Sequence, residues 1–196
     1  MSSTASADLP APFVHPLALV ETDHIGRGTK IWAFAHVQSG VEIGSGCNIG
    51  DHCFLERGVR VGNDVVIKNG VSVWEGVTLE DRVFLGPNAV LTNDLRPRAK
   101  VFHDQVVTTV LREGASVGAN ATIVCGVTVG RYAMIAAGAV VTRSVPDFAL
   151  VVGVPGRIRG YVCACTEALP STHSGSHVCR CGRAFDFGPN GPQESG

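Results

Sequence analysis

Asn93 and Asp94 open a stretch that also carries Arg96, Arg98, Lys100 and His103. A primary amide can donate to an oxyanion or accept from an attacking amine, and guanidinium groups pair bidentately with phosphate oxygens. A second concentration of chemistry lies near the C-terminus, where Cys163-Ala-Cys165 and Cys179-Arg-Cys181 flank thirteen residues that include His173 and His177. Four thiolates fit a tetrahedral zinc ion. The single intervening residue in each pair departs from the usual two of a zinc ribbon, so free thiols and a loose redox pair stay open as readings. In a cytoplasmic chain a stable disulfide is not expected.

The elements that must position these groups are written in a beat of six. Branched aliphatics recur at every sixth residue from Leu19 through Ile25, Ile31 and Val37 to Leu91, and again from Leu111 to Val141 in a new phase. A period of six fits neither a helix, with about 3.6, nor a half-buried strand, with about 2. It fits a solenoid in which each hexad is a short strand and a turn and three hexads make one coil. The residue four after each aliphatic is small or β-branched (Thr29, Ala35, Val41, Cys47, Cys53, Val59), so two positions in six are expected to point inward. Cys47 and Cys53 fall on such positions and Cys125 lies in a coil, which makes all three core or wall residues. Glycine often follows the aliphatic directly, as at Gly26, Gly44, Gly62 and Gly118, and the expected reason is tolerance of unusual dihedrals.

With 16 basic and 17 acidic residues, the chain has no electrostatic field for a nucleic acid polymer. No apolar run of about 18 residues or charged leader is present, so neither membrane insertion nor export is expected and the chain reads as cytoplasmic. The expected organisation is a flexible tail over 1–12, a β-helix over 13–161 with a loop at 94–109, and a cysteine-containing extension over 162–196.

The segments Ile31–Val37 (with His36), Asn69–Gly76 (with Trp74 and Glu75), Gly86–Asp94, Gly118–Gly126 and Ala149–Pro155 together resemble the hexapeptide-repeat acyltransferases, and among them the N-acetyltransferases of dTDP- or UDP-linked 3-amino sugars. The resemblance implies an all-β fold, a left-handed parallel β-helix, assembled as a homotrimer with acetyl-CoA and the nucleotide-linked amino sugar between subunits. It also implies that Asn93, after the Leu-Thr pair, is the active-site polar group, and that the loop closes over a neighbouring subunit. Gly118, Ala119, Ala137 and Gly138 would let a pantetheine arm approach backbone amides, with Arg143 and Arg157 near the nucleotide phosphates. Some relatives are similar in carrying a cysteine-paired tail.

If three hexads make a coil, residues three hexads apart stack at roughly 4.8 Å. Arg57, Glu75 and Asn93 then form one column, Asp51 and Asn69 stack next to Pro87, and polar groups are expected to converge near Asn93. Glu75 could align the amine or pair with Arg57; Trp74, outside the coil core, could cover a sugar face or pack between subunits. His36 is a candidate base, since an imidazole titrates near pH 6.5; its column of Phe54, Ser72 and Val90 equally fits a structural or interface role. His52 and His103 are alternatives, and the departing thiolate can take the proton without any base. Competing functions are an O-acetyltransferase of a sugar or serine, a metal-dependent carbonic-anhydrase-like enzyme and a non-catalytic scaffold. Against the second, no two of the seven histidines are three hexads apart.

Overall fold

The structure, a computed structural model, describes residues 9–101, 105–170, 174–189 and 191–195. Two-residue strands follow one another at hexad spacing, and each pairs in parallel with the strand one coil on: Lys30 with Asn48, His36 with Phe54, Glu42 with Arg60. These three series are the three faces of a triangular β-solenoid, the first containing eight parallel strands from Phe13–Val14 to Ala149–Val152. From Ile31 on the inward pattern is as expected, with Ile31, Ala35, Val37, Val41, Ile43, Cys47, Ile49 and Cys53 each at most 4% exposed. At the start it is not: Leu19 is 55% exposed, because the first coil is one residue shorter and pairs Val20 with the inward Val37. Burying each large aliphatic contributes about 1.5–3 kcal/mol, which is how such short strands are held. Among the described residues no helix is long and apolar enough to cross a membrane.

The glycines after the aliphatics have a different cause from the expected one. None has a positive φ; the left-handed residues come two positions later, at Gly28, Phe34, Gly40, Gly46, His52 and Gly58. What the earlier glycines provide is close approach between coils. A Cβ on Gly44 would stand 2.4 Å from the Gly62 carbonyl oxygen, and one on Gly118 would stand 2.5 Å from the Ala137 nitrogen. Gly44→Ala is therefore expected to destabilise by about 2–3 kcal/mol. Gly40→Ala, at φ 77° with nothing within 4 Å, should cost about 1 kcal/mol from the dihedral alone. Urea midpoints of the two variants check the difference.

The phase break is an extrusion. Before it, partners are 17 residues apart in the first coil, as in Leu19 with His36, and 18 apart afterwards, as in Arg60 with Thr78; across it they are 32 apart, as in Val77 with Thr109 and Val90 with Thr122. Fourteen residues thus leave the coil between Leu91 and Leu111, and the solenoid closes again behind them. On its return the segment passes Gly76 and Gly126: a Cβ on Gly76 would meet Val106 Cγ1 at 2.5 Å.

The described residues near the ends are attached to the coils. Within the 1–12 segment, the Leu9 carbonyl accepts from Arg27 Nε (2.6 Å) and the Pro10 carbonyl from the Gly28 N–H (2.7 Å). After Ala149–Val152 the chain reverses into Arg157–Val162, which pairs with Ala168–Leu169, so the first face continues across position 161. A separate antiparallel sheet follows: Gly175–Val178, Ala184–Gly188 and Gly191–Ser195.

Candidate active site and metal site

The edge between the second and third faces carries the Asn93 column. Side-chain acceptors stitch its rungs together: Gln38 Oε1 accepts from the Arg57 N–H (3.1 Å), Glu56 Oε2 from the Glu75 N–H (2.9 Å) and Thr92 Oγ1 from the Cys125 N–H (2.9 Å). Because Val90 pairs with Thr122 and Thr122 with Val140, the column above Asn93 continues through Cys125 to Arg143. Two rungs, roughly 10 Å, separate Asn93 from Arg143. That upward continuation is invisible to a fixed three-hexad ruler, since the fourteen extruded residues shift the register just there.

Asn93 is exposed and, among the described residues, its amide makes no side-chain hydrogen bond, so its donor and acceptor are not engaged within the chain. Asp94 folds the start of the loop, its Oδ1 accepting from the Arg96 N–H (2.7 Å). Arg96, Arg98 and Lys100 are exposed on the loop, and Arg98 bridges Val101 around a turn. His103 lies outside the described residues.

Several predicted groups are placed elsewhere or are already engaged. Asn69 donates to Asp51 Oδ2 (2.9 Å) on the opposite edge of the second face, so it does not converge with Asn93. Arg57 and Glu75 stack in one column yet make no ion pair. Trp74 packs back against the core and donates its indole N–H to the Leu91 carbonyl (2.7 Å), which leaves its ring free only at one side. His36 sits in the predicted column of Phe54, Ser72 and Val90, edge-on to Phe54 and 3.3 Å from Glu21 Oε1. Three rungs, roughly 14 Å, separate it from the level of Val90, so within one subunit it cannot reach an amine held at Asn93. His52 is one of the left-handed corner residues, stacked on Phe34 at 4.9 Å.

The small residues lie on the edge between the first and second faces: Ala119 and Ala137 stand on adjacent rungs and Gly138 has open space around it. Arg143 and Arg157 come together at the end of the solenoid, lining a cavity of about 320 Å³ with Thr142, Ser144, Gly156 and Ile158. This end, with its two guanidinium groups, is able to take a polyanion.

The four tail cysteines converge as the sequence predicts. All four Sγ atoms lie within 4.8 Å of one another, with Cys163 to Cys181 at 3.5 Å and Cys165 to Cys179 at 3.6 Å. A tetrahedral ion with metal–sulfur bonds of about 2.3 Å needs sulfurs about 3.8 Å apart, so the set fits zinc. The spacing of one residue works because each pair sits in the same tight turn. The Thr166 N–H donates to the Cys163 carbonyl and the Cys163 N–H to the Glu167 carbonyl; Gly182, Cys179 and Arg183 repeat this, all four bonds being 2.8 Å. Burial pushes the Cys163 thiol up to about 12, while the Arg183 backbone N–H draws Cys181 down to about 7. Cys47, by contrast, is a core thiol that burial pushes up to about 11.

A triangular solenoid of hexads with small residues along one edge and an extruded loop on another defines a hexapeptide-repeat transferase. The family model described as bacterial transferase hexapeptide (six repeats) matches residues 24–57, 58–93 and 108–143. A dTDP-3-amino-3,6-dideoxy-α-D-galactopyranose 3-N-acetyltransferase from Aneurinibacillus thermoaerophilus is 51% identical over 175 residues, covering 89% of this chain and 91% of that enzyme. Among solved structures, a hexapeptide-repeat acetyltransferase from Vibrio cholerae complexed with acetyl coenzyme A matches with a TM-score of 0.52 and 26% identity, over 59% of this chain and 67% of that one. The acetyltransferase domain of PglB from Neisseria gonorrhoeae shares the fold at a TM-score of 0.55 and 21% identity; the match covers 75% of this chain and 57% of that one. The chain belongs to the bacterial hexapeptide transferase family, and it is an acyltransferase.

Proposed function

We propose that the protein transfers the acetyl group of acetyl-CoA to the C3 amine of a dTDP-linked 3-amino-3,6-dideoxyhexose. What carries this reading is the 51% identity, spanning nearly all of both chains, to an enzyme of that activity. The geometry supports it, since Asn93, the basic loop and Arg143 share one edge of the solenoid. In the reaction the amine lone pair attacks the thioester carbonyl, the C–S bond breaks, and the CoA thiolate accepts the proton the new amide nitrogen gives up. Asn93 donates to the carbonyl oxygen as it becomes an oxyanion. Arg96 and Arg98 hold the sugar's diphosphate, Glu75 and the exposed side of Trp74 border the sugar, and Arg143 with Arg157 takes the CoA phosphates. Ala119, Ala137 and Gly138 lie on the other edge of the second face, so they leave room for the pantetheine arm in a site shared with a neighbouring subunit.

The active unit is a homotrimer with sites between subunits. Supporting this, Val90 on the second face is exposed, and Leu95, Val101 and Val106 on the loop are about half exposed (59%, 46% and 51%), a surface suited to a neighbouring coil. The setting is cytoplasmic, where the four tail thiols stay reduced and hold a structural zinc. Incubation with acetyl-CoA and a panel of dTDP- and UDP-linked 3- and 4-amino sugars tests the assignment. The dTDP-linked 3-amino sugar is expected to release CoA and gain 42 mass units, on the order of one acetyl per amine; turnover confined to a 4-amino or UDP-linked sugar would replace it.

A further inference from the structure

We infer that the ion bound by Cys163, Cys165, Cys179 and Cys181 is the joint fastening the C-terminal sheet to the solenoid, so that residues 175–195 stay folded against the coils only while it is held. The inference rests on zinc as the ion of this cluster. The two cysteine turns belong to different sheets. Cys163 and Cys165 sit in the turn joining Arg157–Val162 to Ala168–Leu169, which extends the first face of the solenoid. Cys179 and Cys181 sit in the turn joining Gly175–Val178 to Ala184–Gly188 of the C-terminal sheet. Those two sheets share no strand pairing. An ion taking two thiolates from each is therefore a cross-link between separately hydrogen-bonded units.

The other contacts between them are one small apolar cluster, Gly191 close against the Tyr161 ring and Arg183 5.9 Å from the Tyr132 ring centroid. The C-terminal sheet has three strands of four and five residues, too few to stand alone in water. Its shared core is Phe148, Cys163, Leu169, Cys179, Phe185 and Phe187, so two of the six buried members are the proposed ligands. Phe185 meets Phe148 edge-on at 5.2 Å, and Phe148 stacks on Tyr132 at 5.7 Å. Across the two turns Arg180 pairs with Glu167, an exposed contact of small worth. The turns are also built for ligation at some conformational expense: Thr166 is held at φ 74° where its counterpart is Gly182 at φ 92°. A β-branched residue in that region is strained and persists only where its surroundings impose it. A tetrathiolate zinc carries net negative charge; Arg180 and Arg183 lie beside Cys181 in sequence, but each is already paired with a carboxylate, Glu167 and Glu194.

The test uses the full-length protein as purified. Metal analysis is expected to give one zinc per chain. Amide hydrogen exchange is then followed before and after zinc is withdrawn with a high-affinity chelator. Exchange in 175–195 should rise by at least about 100-fold, the change expected when an ion bound well above its dissociation constant is removed. Protection at Val66–Ile67 in the solenoid should not change, and re-added zinc should restore 175–195 where magnesium does not. If zinc is present and its withdrawal leaves exchange in 175–195 unchanged, the joint is disproved while the zinc site stands. If the protein holds no zinc and takes none up, the metal assignment itself falls. The double variant Cys165→Ser/Cys181→Ser, altered at the two exposed ligands, should show the same raised exchange without chelator; normal protection in it would also overturn the joint.

Discussion

Replacing Asn93 with Ala should lower kcat for acetyl transfer by about 10²–10³-fold, the loss seen when one preorganised oxyanion donor is removed. Stability should move by no more than about 0.5 kcal/mol, because the side chain is exposed and makes no hydrogen bond within the described residues. KM for acetyl-CoA should hardly change, since the Arg143 and Arg157 cavity lies two rungs away at the end of the solenoid. Asn93→Asp separates the two roles an amide can play. If the Asn93 N–H donates to the oxyanion, the aspartate fails as badly as the alanine, and its charge opposes the developing one. If the oxygen instead accepts from the sugar amine, the aspartate keeps most of the rate. Steady-state kinetics of both variants, with circular dichroism melts alongside, decide between the outcomes; an alanine variant with unchanged kcat would remove Asn93 from the site.

Why the columns of the candidate site below Leu91 are legible in the sequence, and those above it are not, follows from how a solenoid is built. A constant coil length turns sequence separation into vertical distance, so the column of His36, Phe54, Ser72 and Val90 could be drawn before any coordinates. The same ruler stacked Arg57 under Glu75 correctly. It says nothing about which edge a column occupies, and so it brings Asn69 towards Asn93 although a whole face separates them. It also failed above Leu91, where the pairing interval jumps to 32 residues and Cys125 and Arg143 replace the partners that a regular beat would give. The glycines are ambiguous in sequence for a related reason. Positive φ and lack of room for a Cβ both select glycine, and only coordinates distinguish Gly40, which needs the dihedral, from Gly44, which needs the space. The four tail cysteines were legible because their pairing is local, two short turns of matching form, even though the sheets that carry them could not be foreseen.

The same register arithmetic yields the second large expectation, that the loop can be removed without losing the solenoid. Deleting residues 94–107 takes out fourteen residues, the number by which the pairing interval grows across the break, and leaves Leu111 one hexad after Leu91. The joined chain must then turn the corner at Thr108, which would stand third after Leu91. The full-length corners on this edge carry a left-handed glycine at that position, Gly40, Gly58, Gly76 and Gly126, whereas the shorter corners after Val20 and Val141 do not, so the deletion should be made together with Thr108→Gly. Closing a shorter connection lowers the entropy cost of the loop by about 1 kcal/mol or less. Against this, Val106 and Val107 no longer cover Gly76 and Gly126. The two effects are of similar size, and the midpoint of urea unfolding should shift by no more than about 1 kcal/mol equivalent. Turnover of the nucleotide-linked amino sugar should nevertheless fall by at least about 100-fold, because Arg96 and Arg98 leave with the loop and a charge-assisted diphosphate contact contributes about 1.5–3 kcal/mol each. Binding of acetyl-CoA, measured calorimetrically, should persist, since its expected contacts at Ala119, Ala137, Arg143 and Arg157 lie outside the deletion. A folded deletion variant that still acetylates the sugar at the parental rate would show that the extruded segment serves assembly alone.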